Sequence, residues 1–369
     1  MKQYRYIISG GGTGGHIYPA IAIANEIKKN DPYAIIHFVG AHGKMEMEKI
    51  PQAGYSITGL WISGFHRGKI IKNILFPLKL VMSVLQAVFL VLKFRPDLTI
   101  GTGGFASGPV LFVANLLGRK IFLQEQNSFA GITNKILARR ASGIAVAYPK
   151  MDNYFPKDKI FNTGNPVREA LLEISSKREK AYSFFELNPA KKTLVVIGGS
   201  LGAQKINEMI AFHLLSIKAL DLQLVWQCGK MYYNHFRAYH NKEDVKVYDF
   251  IKEMDLLYAT ADIIVSRAGA GSVSELCVVG KPIMLIPSPN VAENHQYYNA
   301  KSLSDKGAAI MIEEKNIENQ FITELKTLIQ SPEKQLKMQY ALGEFAKPHA
   351  TKDIVKCFTP LIRENESNQ

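Results

Sequence analysis

Short apolar runs that end in clustered glycines and then open into helical patterns recur along this chain, and they set what it can fold into. Tyr6–Ser9 runs into Gly10–Gly15 (GGGTGG), after which Ile17, Ala20, Ile21, Ala24 and Ile27 keep a helical period. Ile35–Val39 reads as a second strand. Asp97–Ile100 runs into Gly101–Gly104 (GTGG), and Lys120–Leu123 ends at Glu125-Gln126-Asn127. The second half repeats the plan. Thr193–Ile197 leads into Gly198–Gly202 (GGSLG), a helix is expected over 203–215, and Leu222–Trp226, Val245–Tyr248, Asp262–Val265 and Pro282–Ile286 read as strands. Strands alternating with helices imply an α/β chain with parallel sheets covered on both faces. Two such stretches in tandem imply two Rossmann-like domains.

The boundaries follow from this pattern. Residues 1–163 form the first expected domain and 164–345 the second. Residues 346–369 are expected to be a C-terminal helix returning to the first domain, then a polar tail. Asn165 suits a helix cap and Pro166 a first helical position. Residues 173–192 read as a charged, irregular insertion.

Charge separates the halves. Residues 1–163 hold 20 Lys+Arg against 8 Asp+Glu, a net of +12, and the remaining 206 hold 25 against 24, a net of +1. A basic first half attracts an anion: nucleic acid, a phosphorylated substrate or an acidic membrane face. The same half carries an almost wholly apolar stretch, Leu75–Leu92, broken by Lys79, Ser83 and Gln86 on one helical stripe. Its uncharged run, Leu80–Leu92, is 13 residues, short of the roughly 20 needed to span a bilayer. It is read either as a core helix or as one whose outer face rests on a membrane. Arg67, Lys69, Lys72, Lys93 and Arg95 favour the membrane. The apolar stretch after Arg5 is too short for a secretory signal, and Cys228, Cys277 and Cys357 have no metal or redox spacing. A cytoplasmic setting is expected.

Glycine-rich turns at strand ends present backbone N–H groups at a helix N-terminus, which favours phosphate. Three occur, with a further glycine-broken turn at 269–271. A P-loop is absent. The acidic residue of a dinucleotide fingerprint is missing where the second strand ends Val39-Gly40-Ala41-His42. No Asp-x-Asp motif occurs, and neither a bridging metal nor a cofactor is expected.

Seven of these motifs, in order, resemble a known family. Gly10–His16 (GGGTGGH), Gly101–Pro109 (GTGGFASGP) and Glu125–Asn127 (EQN) resemble the N-terminal signatures of the MurG family of glucosaminyltransferases. Gly164–Arg168 (GNPVR), Gly198–Ala203 (GGSLGA), Arg267–Glu275 (RAGAGSVSE) and Asn294–Gln296 (NHQ) resemble its donor-side signatures. The resemblance implies a GT-B architecture, two facing Rossmann-like domains with a cleft between them. It implies an inverting transferase that moves N-acetylglucosamine from UDP-N-acetylglucosamine to lipid I, the undecaprenyl-pyrophosphoryl-N-acetylmuramyl-pentapeptide, forming lipid II. It further implies a peripheral place on the cytoplasmic face of the plasma membrane, an anionic surface as partner, and membership of a cell-wall synthesis complex.

Carried over by position, Thr13, Gly14, Gly15 and Asn127 are expected donor contacts in the first half. Arg168 and Ser200 would bind the diphosphate, and Ile251 would offer backbone groups to uracil. Ala270, Gly271, Ser272, Val273 and Ser274 would form a phosphate-facing helix start, and Glu275 would accept the ribose hydroxyls. Gln296 completes the set. Ser272–Glu275 (SVSE) also fits a capping box. His16, beside the first phosphate loop and titrating near neutrality when unperturbed, is the first candidate for the base that takes the acceptor proton, and Glu125 the second. Three other readings stay open. Another UDP-sugar glycolipid synthase would share nearly everything. A UDP-N-acetylglucosamine epimerase would share the donor site but would not need the apolar, basic segment. A nucleic-acid binder would not need the donor-side loops.

Overall fold

The computed structural model describes residues 3–65, 73–199, 202–242 and 244–363. Arg67, Lys69, Lys72, Ser200 and the polar tail after Arg363 lie outside the described residues. The chain divides into two compact units: residues 1–166 with 349–369, and residues 167–348.

Unit 1 is built on seven parallel strands: β1 (Arg5–Gly10), β2 (Ile35–Ala41), β3 (Ser56–Leu60), β4 (Leu98–Gly103), β5 (Lys120–Glu125), β6 (Gly143–Val146) and β7 (Ile160–Asn162). Their order is β3-β2-β1-β4-β5-β6-β7. Unit 2 has six parallel strands: β8 (Lys192–Ile197), β9 (Leu222–Gln227), β10 (Val245–Tyr248), β11 (Ile263–Ser266), β12 (Ile283–Leu285) and β13 (Ile310–Met311). Their order is β10-β9-β8-β11-β12-β13. In each sheet the order reverses beside the first strand, between β1 and β4 and between β8 and β11. That switch point is where open α/β sheets bind ligands, beyond the carboxyl ends of the strands. The glycine loops after β1, β4, β8 and β11 all lie at such ends.

The near-continuous apolar strands follow from burial on both faces. β4 and β9 are buried at every residue. One layer of unit 1 is completed from far along the chain. The helix Ala350–Arg363 places Ile354, Val355, Phe358 and Ile362 in the core with Tyr6, Ile8, Ile17 and Phe122. Its Phe358 ring packs edge-on to Phe122 at 5.3 Å. Residues 349–369 hold three basic and three acidic side chains, so unit 1 keeps the net +12.

Three expectations change. Asn165 caps no helix: its Nδ2 donates to Gln126 O at 2.9 Å, its Oδ1 accepts from Gln124 Nε2 at 2.9 Å, and the next helical turn starts at Glu169. Buried amide pairing outcompetes the local cap. The stretch 173–192 is ordered, with a 3-10 segment to Lys177 and a helix Arg178–Phe184 that buries Ala181 and Tyr182. The helix expected over 203–215 is two helices, Gln204–Phe212 and Leu214–Lys218, meeting at His213.

The apolar segment forms a helix, Phe76–Phe94, of 19 residues; with Lys79 and Lys93 included it is long and apolar enough to cross a membrane by length and composition, although its uncharged run alone is not. It packs on the helix Ser107–Leu116 and on β3. Its buried residues are Ser83, Ala87 and Val91, one face at a spacing of four. The polar stripe turns toward the protein: Gln86 Oε1 accepts from Trp61 N–H at 2.9 Å, and Lys79 Nζ donates to Ser63 Oγ at 3.5 Å. Leu78, Val81, Leu85, Phe89 and Leu92 stand exposed, Phe89 at 69%. The core reading is therefore wrong, because this helix is apolar on its outside.

Candidate active site

The first glycine loop joins β1 to the helix Gly14–Asn30. Thr13 caps that helix with an extended backbone, and Ile17 N–H and His16 N–H both donate to Thr13 O. The amides of Gly14 and Gly15 belong to the first turn, where a helix has no internal acceptor for them. Thr13 and Gly15 are exposed and Gly14 half-buried, so an anion can reach this turn. The loop after β4 packs directly on it. Gly11 N–H donates to Gly103 O at 3.4 Å, and a Cβ on Gly104 would stand 2.3 Å from Gly11 O. Gly103 and Gly104 have φ of +98° and +83°, a backbone that side chains resist.

His16 is held by its own loop. Its Nδ1 lies 3.1 Å from Gly11 O and 3.3 Å from Thr13 Oγ1. A carbonyl oxygen only accepts, so in the neutral ring the proton sits on Nδ1, and Nε2 is the nitrogen with the lone pair. The ring lies against Gly103, where a Cβ would stand 2.9 Å from His16 Cδ2.

Glu125 sits differently. It is buried, and four N–H groups converge on its carboxylate. Oε1 accepts from Asn127 N at 3.0 Å and Asn127 Nδ2 at 3.4 Å, and Oε2 from Gly131 N at 3.0 Å and Asn134 Nδ2 at 2.9 Å. Such a carboxylate holds the turn from β5 into the helix Ile132–Leu137. Its two oxygens accept all four of those N–H bonds.

In unit 2, the helix Ala270–Val279 follows β11, with Gly269 as its cap and no side-chain cap bond. Ser272–Glu275 lies inside the helix, so no capping box forms. Ala270 and Val273 are buried, which leaves backbone N–H groups and the half-buried Ser272 and Ser274 as donors at this helix start. Glu275 faces two partners: Arg168 Nε at 3.2 Å from Oε1, and Tyr258 Oη, which donates to Oε2 at 3.4 Å. Burial pushes its carboxyl above the usual range, and Arg168 and Tyr258 pull it back down. Tyr258, itself buried, is a partner that the sequence did not single out.

Around the loop after β8, Gln227 Nε2 donates to Gly199 O at 3.2 Å, and Asn207 Nδ2 to Cys228 O at 2.9 Å. A Cβ on Gly202 would meet Cys228 O at 2.3 Å. Ile251 N–H is taken by Gln227 Oε1 at 3.0 Å, so it is not available to a ligand. Gln296 Oε1 accepts from Ser288 N–H at 2.9 Å. Arg267 is a structural pin. It donates to Ile286 O at 3.1 Å and pairs with Glu314.

Residues 6–146 match the glycosyltransferase family 28 N-terminal domain, and residues 193–355 match its C-terminal domain. A Flavobacterium psychrophilum protein named UDP-N-acetylglucosamine--N-acetylmuramyl-(pentapeptide) pyrophosphoryl-undecaprenol N-acetylglucosamine transferase is 49% identical over 367 residues, 100% of each chain. A protein of the same name from Christiangramia forsetii is 52% identical over 363 residues, 98% of this chain and 99% of the other. The crystal structure of Acinetobacter baumannii MurG superposes with a TM-score of 0.78 at 27% identity, covering 98% of this chain and 100% of that one. The chain belongs to the MurG family. Its two sheets are of the GT-B type expected of MurG members. A UDP-N-acetylglucosamine 2-epimerase structure is also similar, with a TM-score of 0.63 at 13% identity over 100% of this chain and 98% of that one. That likeness shows a shared fold.

Proposed function

We propose that this MurG-family protein transfers N-acetylglucosamine from UDP-N-acetylglucosamine to lipid I, forming lipid II for peptidoglycan. The observation that carries the reading is full-length identity of about half to transferases bearing that name. The α-linked donor gives a β-linked product by a single displacement, so configuration inverts.

The chemistry needs a base for the acceptor hydroxyl and donors for the leaving diphosphate. His16 Nε2 takes the hydroxyl proton. The Nδ1–H bond to Gly11 O sets that tautomer and orients the ring. Thr13, Gly14, Gly15 and Asn127 hold substrate beside it. In unit 2, Arg168, Ser200 and the amides of Ala270, Gly271 and Ser272 receive the diphosphate, with Val273 and Ser274 completing the turn. Glu275 accepts from the ribose hydroxyls, Ile251 O from the uracil N–H, and Gln296 Nε2 donates to the sugar.

The exposed face of Phe76–Phe94 rests in an anionic membrane surface, on the cytoplasmic side where lipid I is met. Support comes from its inverted polarity, from Lys93 and Arg95 at its end, and from the +12 of unit 1. A cell-wall synthesis complex is the proposed setting.

The deciding experiment incubates the pure protein with UDP-N-acetylglucosamine and a short-chain lipid I analogue. A β-linked disaccharide on the lipid, with one UDP released per transfer, supports the reading. Epimerised sugar with no lipid product overturns it.

A further inference from the structure

The peptide unit joining Gly11 to Gly12 is gripped at both ends. Its carbonyl, Gly11 O, accepts from His16 Nδ1 at 3.1 Å. Its amide, Gly12 N–H, donates to Glu46 Oε2 at 3.0 Å. The other oxygen of that carboxylate, Oε1, accepts from Ala41 N–H at the end of β2 at 3.0 Å. Glu46 belongs to the short helix Glu46–Gln52 and is fully buried. A buried carboxylate is costly to desolvate, and charge-assisted bonds from two backbone amides offset that cost.

Two glycines make room for it. A Cβ on Gly11 would stand 2.2 Å from Glu46 Oε1, and one on Gly40 would stand 2.5 Å from Glu46 Cγ. Gly40, one residue before the end of β2, is not among the positive-φ glycines and needs no glycine for its dihedrals. It is small because the Glu46 side chain passes over it.

We propose that Glu46 is a positioning residue for His16, acting through the Gly11–Gly12 peptide. An amide is a resonance-coupled unit. A negative charge at its N–H end deepens the negative charge on its carbonyl oxygen, which tightens the hold on His16 Nδ1–H. Chains of hydrogen bonds polarise one another in this way where the dielectric is low. During transfer the acceptor hydroxyl proton moves to Nε2, and the ring becomes an imidazolium. The Gly11 carbonyl, charged up by Glu46, then carries part of the stabilisation. Glu46 thus does at one peptide's remove what a carboxylate does when it touches a catalytic histidine directly. Among the described contacts, Thr13 Oγ1 and Gly11 O from its own loop and the Gly103 turn from β4 face the ring, while the helix Glu46–Gln52 brings the carboxylate behind them.

The inference rests on His16 being the base, and its test separates the two claims. Histidine-labelled protein is titrated by NMR, with the His16 signal assigned by its loss in His16→Ala. In Glu46→Gln, which keeps shape and removes charge, the His16 midpoint should move to lower pH. In the wild type, the Gly12 amide proton should shift in step with His16. Turnover should fall by less than the about 10²–10⁴ expected for losing the base itself, with donor KM unchanged. The acid limb of kcat/KM should move in the direction of the NMR midpoint. An unmoved His16 midpoint in folded Glu46→Gln overturns the proposal and leaves Glu46 a loop pin. If Glu46→Gln does not fold, the wild-type Gly12 amide decides alone: tracking supports the relay, and its absence overturns it. Coupling by NMR alongside an active His16→Ala supports the relay and overturns the base assignment instead.

Discussion

Arg168 Nε lies 3.2 Å from Glu275 Oε1, and the two side chains differ in exposure, 54% for the arginine and 14% for the glutamate. The half-exposed guanidinium therefore loses little if the pair opens, while the carboxylate depends on its partners. A carboxyl whose pKa is raised on folding stabilises the fold below its unfolded pKa, and that contribution is lost as pH rises through the folded value. Burial raises Glu275. Near pH 7 its charge is thus a cost to the fold, kept for binding.

Glu275→Gln should raise the melting temperature at pH 7, on the order of 2 °C, and the gain should vanish as pH falls below the ordinary carboxyl range. The same variant should weaken UDP-N-acetylglucosamine binding about ten- to a hundred-fold, the cost of about 1.5–3 kcal/mol for a charge-assisted hydrogen bond. Scanning calorimetry against pH and titration calorimetry check the two halves. Unchanged affinity would remove Glu275 from the donor site.

His16→Ala should lower kcat by about 10²–10⁴ with donor affinity little changed. Glu125→Gln should act mainly on stability, because a glutamine amide meets two of its four N–H partners with a donor of its own. Turnover and melting curves for both variants decide between them. If folded Glu125→Gln is inactive while His16→Ala loses less than about ten-fold, Glu125 is the base.

Gly103→Ala places a methyl 2.9 Å from His16 Cδ2 at a φ of +98°. Strain of that kind costs about 1–3 kcal/mol, and the ring must turn away to make space. Turnover should drop with donor KM unchanged and with a lower melting temperature. Full turnover would show that the ring's placement is not limiting.

Leu85 and Phe89 are exposed on the outer face of Phe76–Phe94, at 58% and 69%. Replacing both by Ser should abolish binding to anionic vesicles at unchanged melting temperature. Each such side chain contributes about 1.5–3 kcal/mol when buried in an apolar phase. Val91→Ser, on the packed face, should lower the melting temperature instead. A melting loss in Leu85→Ser/Phe89→Ser would mark the outer face as part of the fold.

The loops were legible because a glycine cluster after an apolar run has one economical meaning, a strand-to-helix turn. The helix Phe76–Phe94 was legible as a helix but ambiguous in orientation, since periodicity locates a polar stripe without saying which way it faces. Asn165 misled because cap propensity is local, whereas its partners Gln124 and Gln126 lie some 40 residues earlier. Glu46 and Tyr258 left no trace in the pattern. One is an acidic residue among several in a charged segment, the other an aromatic at a core position. Both acquire meaning only from what folding brings beside them.

The helix Ala350–Arg363 supplies four core side chains to a unit whose first segment ends at Pro166. In synthesis, the half begun first is therefore the half finished last. Unit 2 has its whole sequence out before unit 1 does, and Tyr6, Phe122 and their neighbours wait uncovered for Phe358 while it is made. A nascent chain of this kind exposes its basic, apolar half longest, beside the membrane it is proposed to serve. A released chain ending at residue 348 should show protease-resistant unit 2 and protease-sensitive unit 1, a difference that limited proteolysis would read directly.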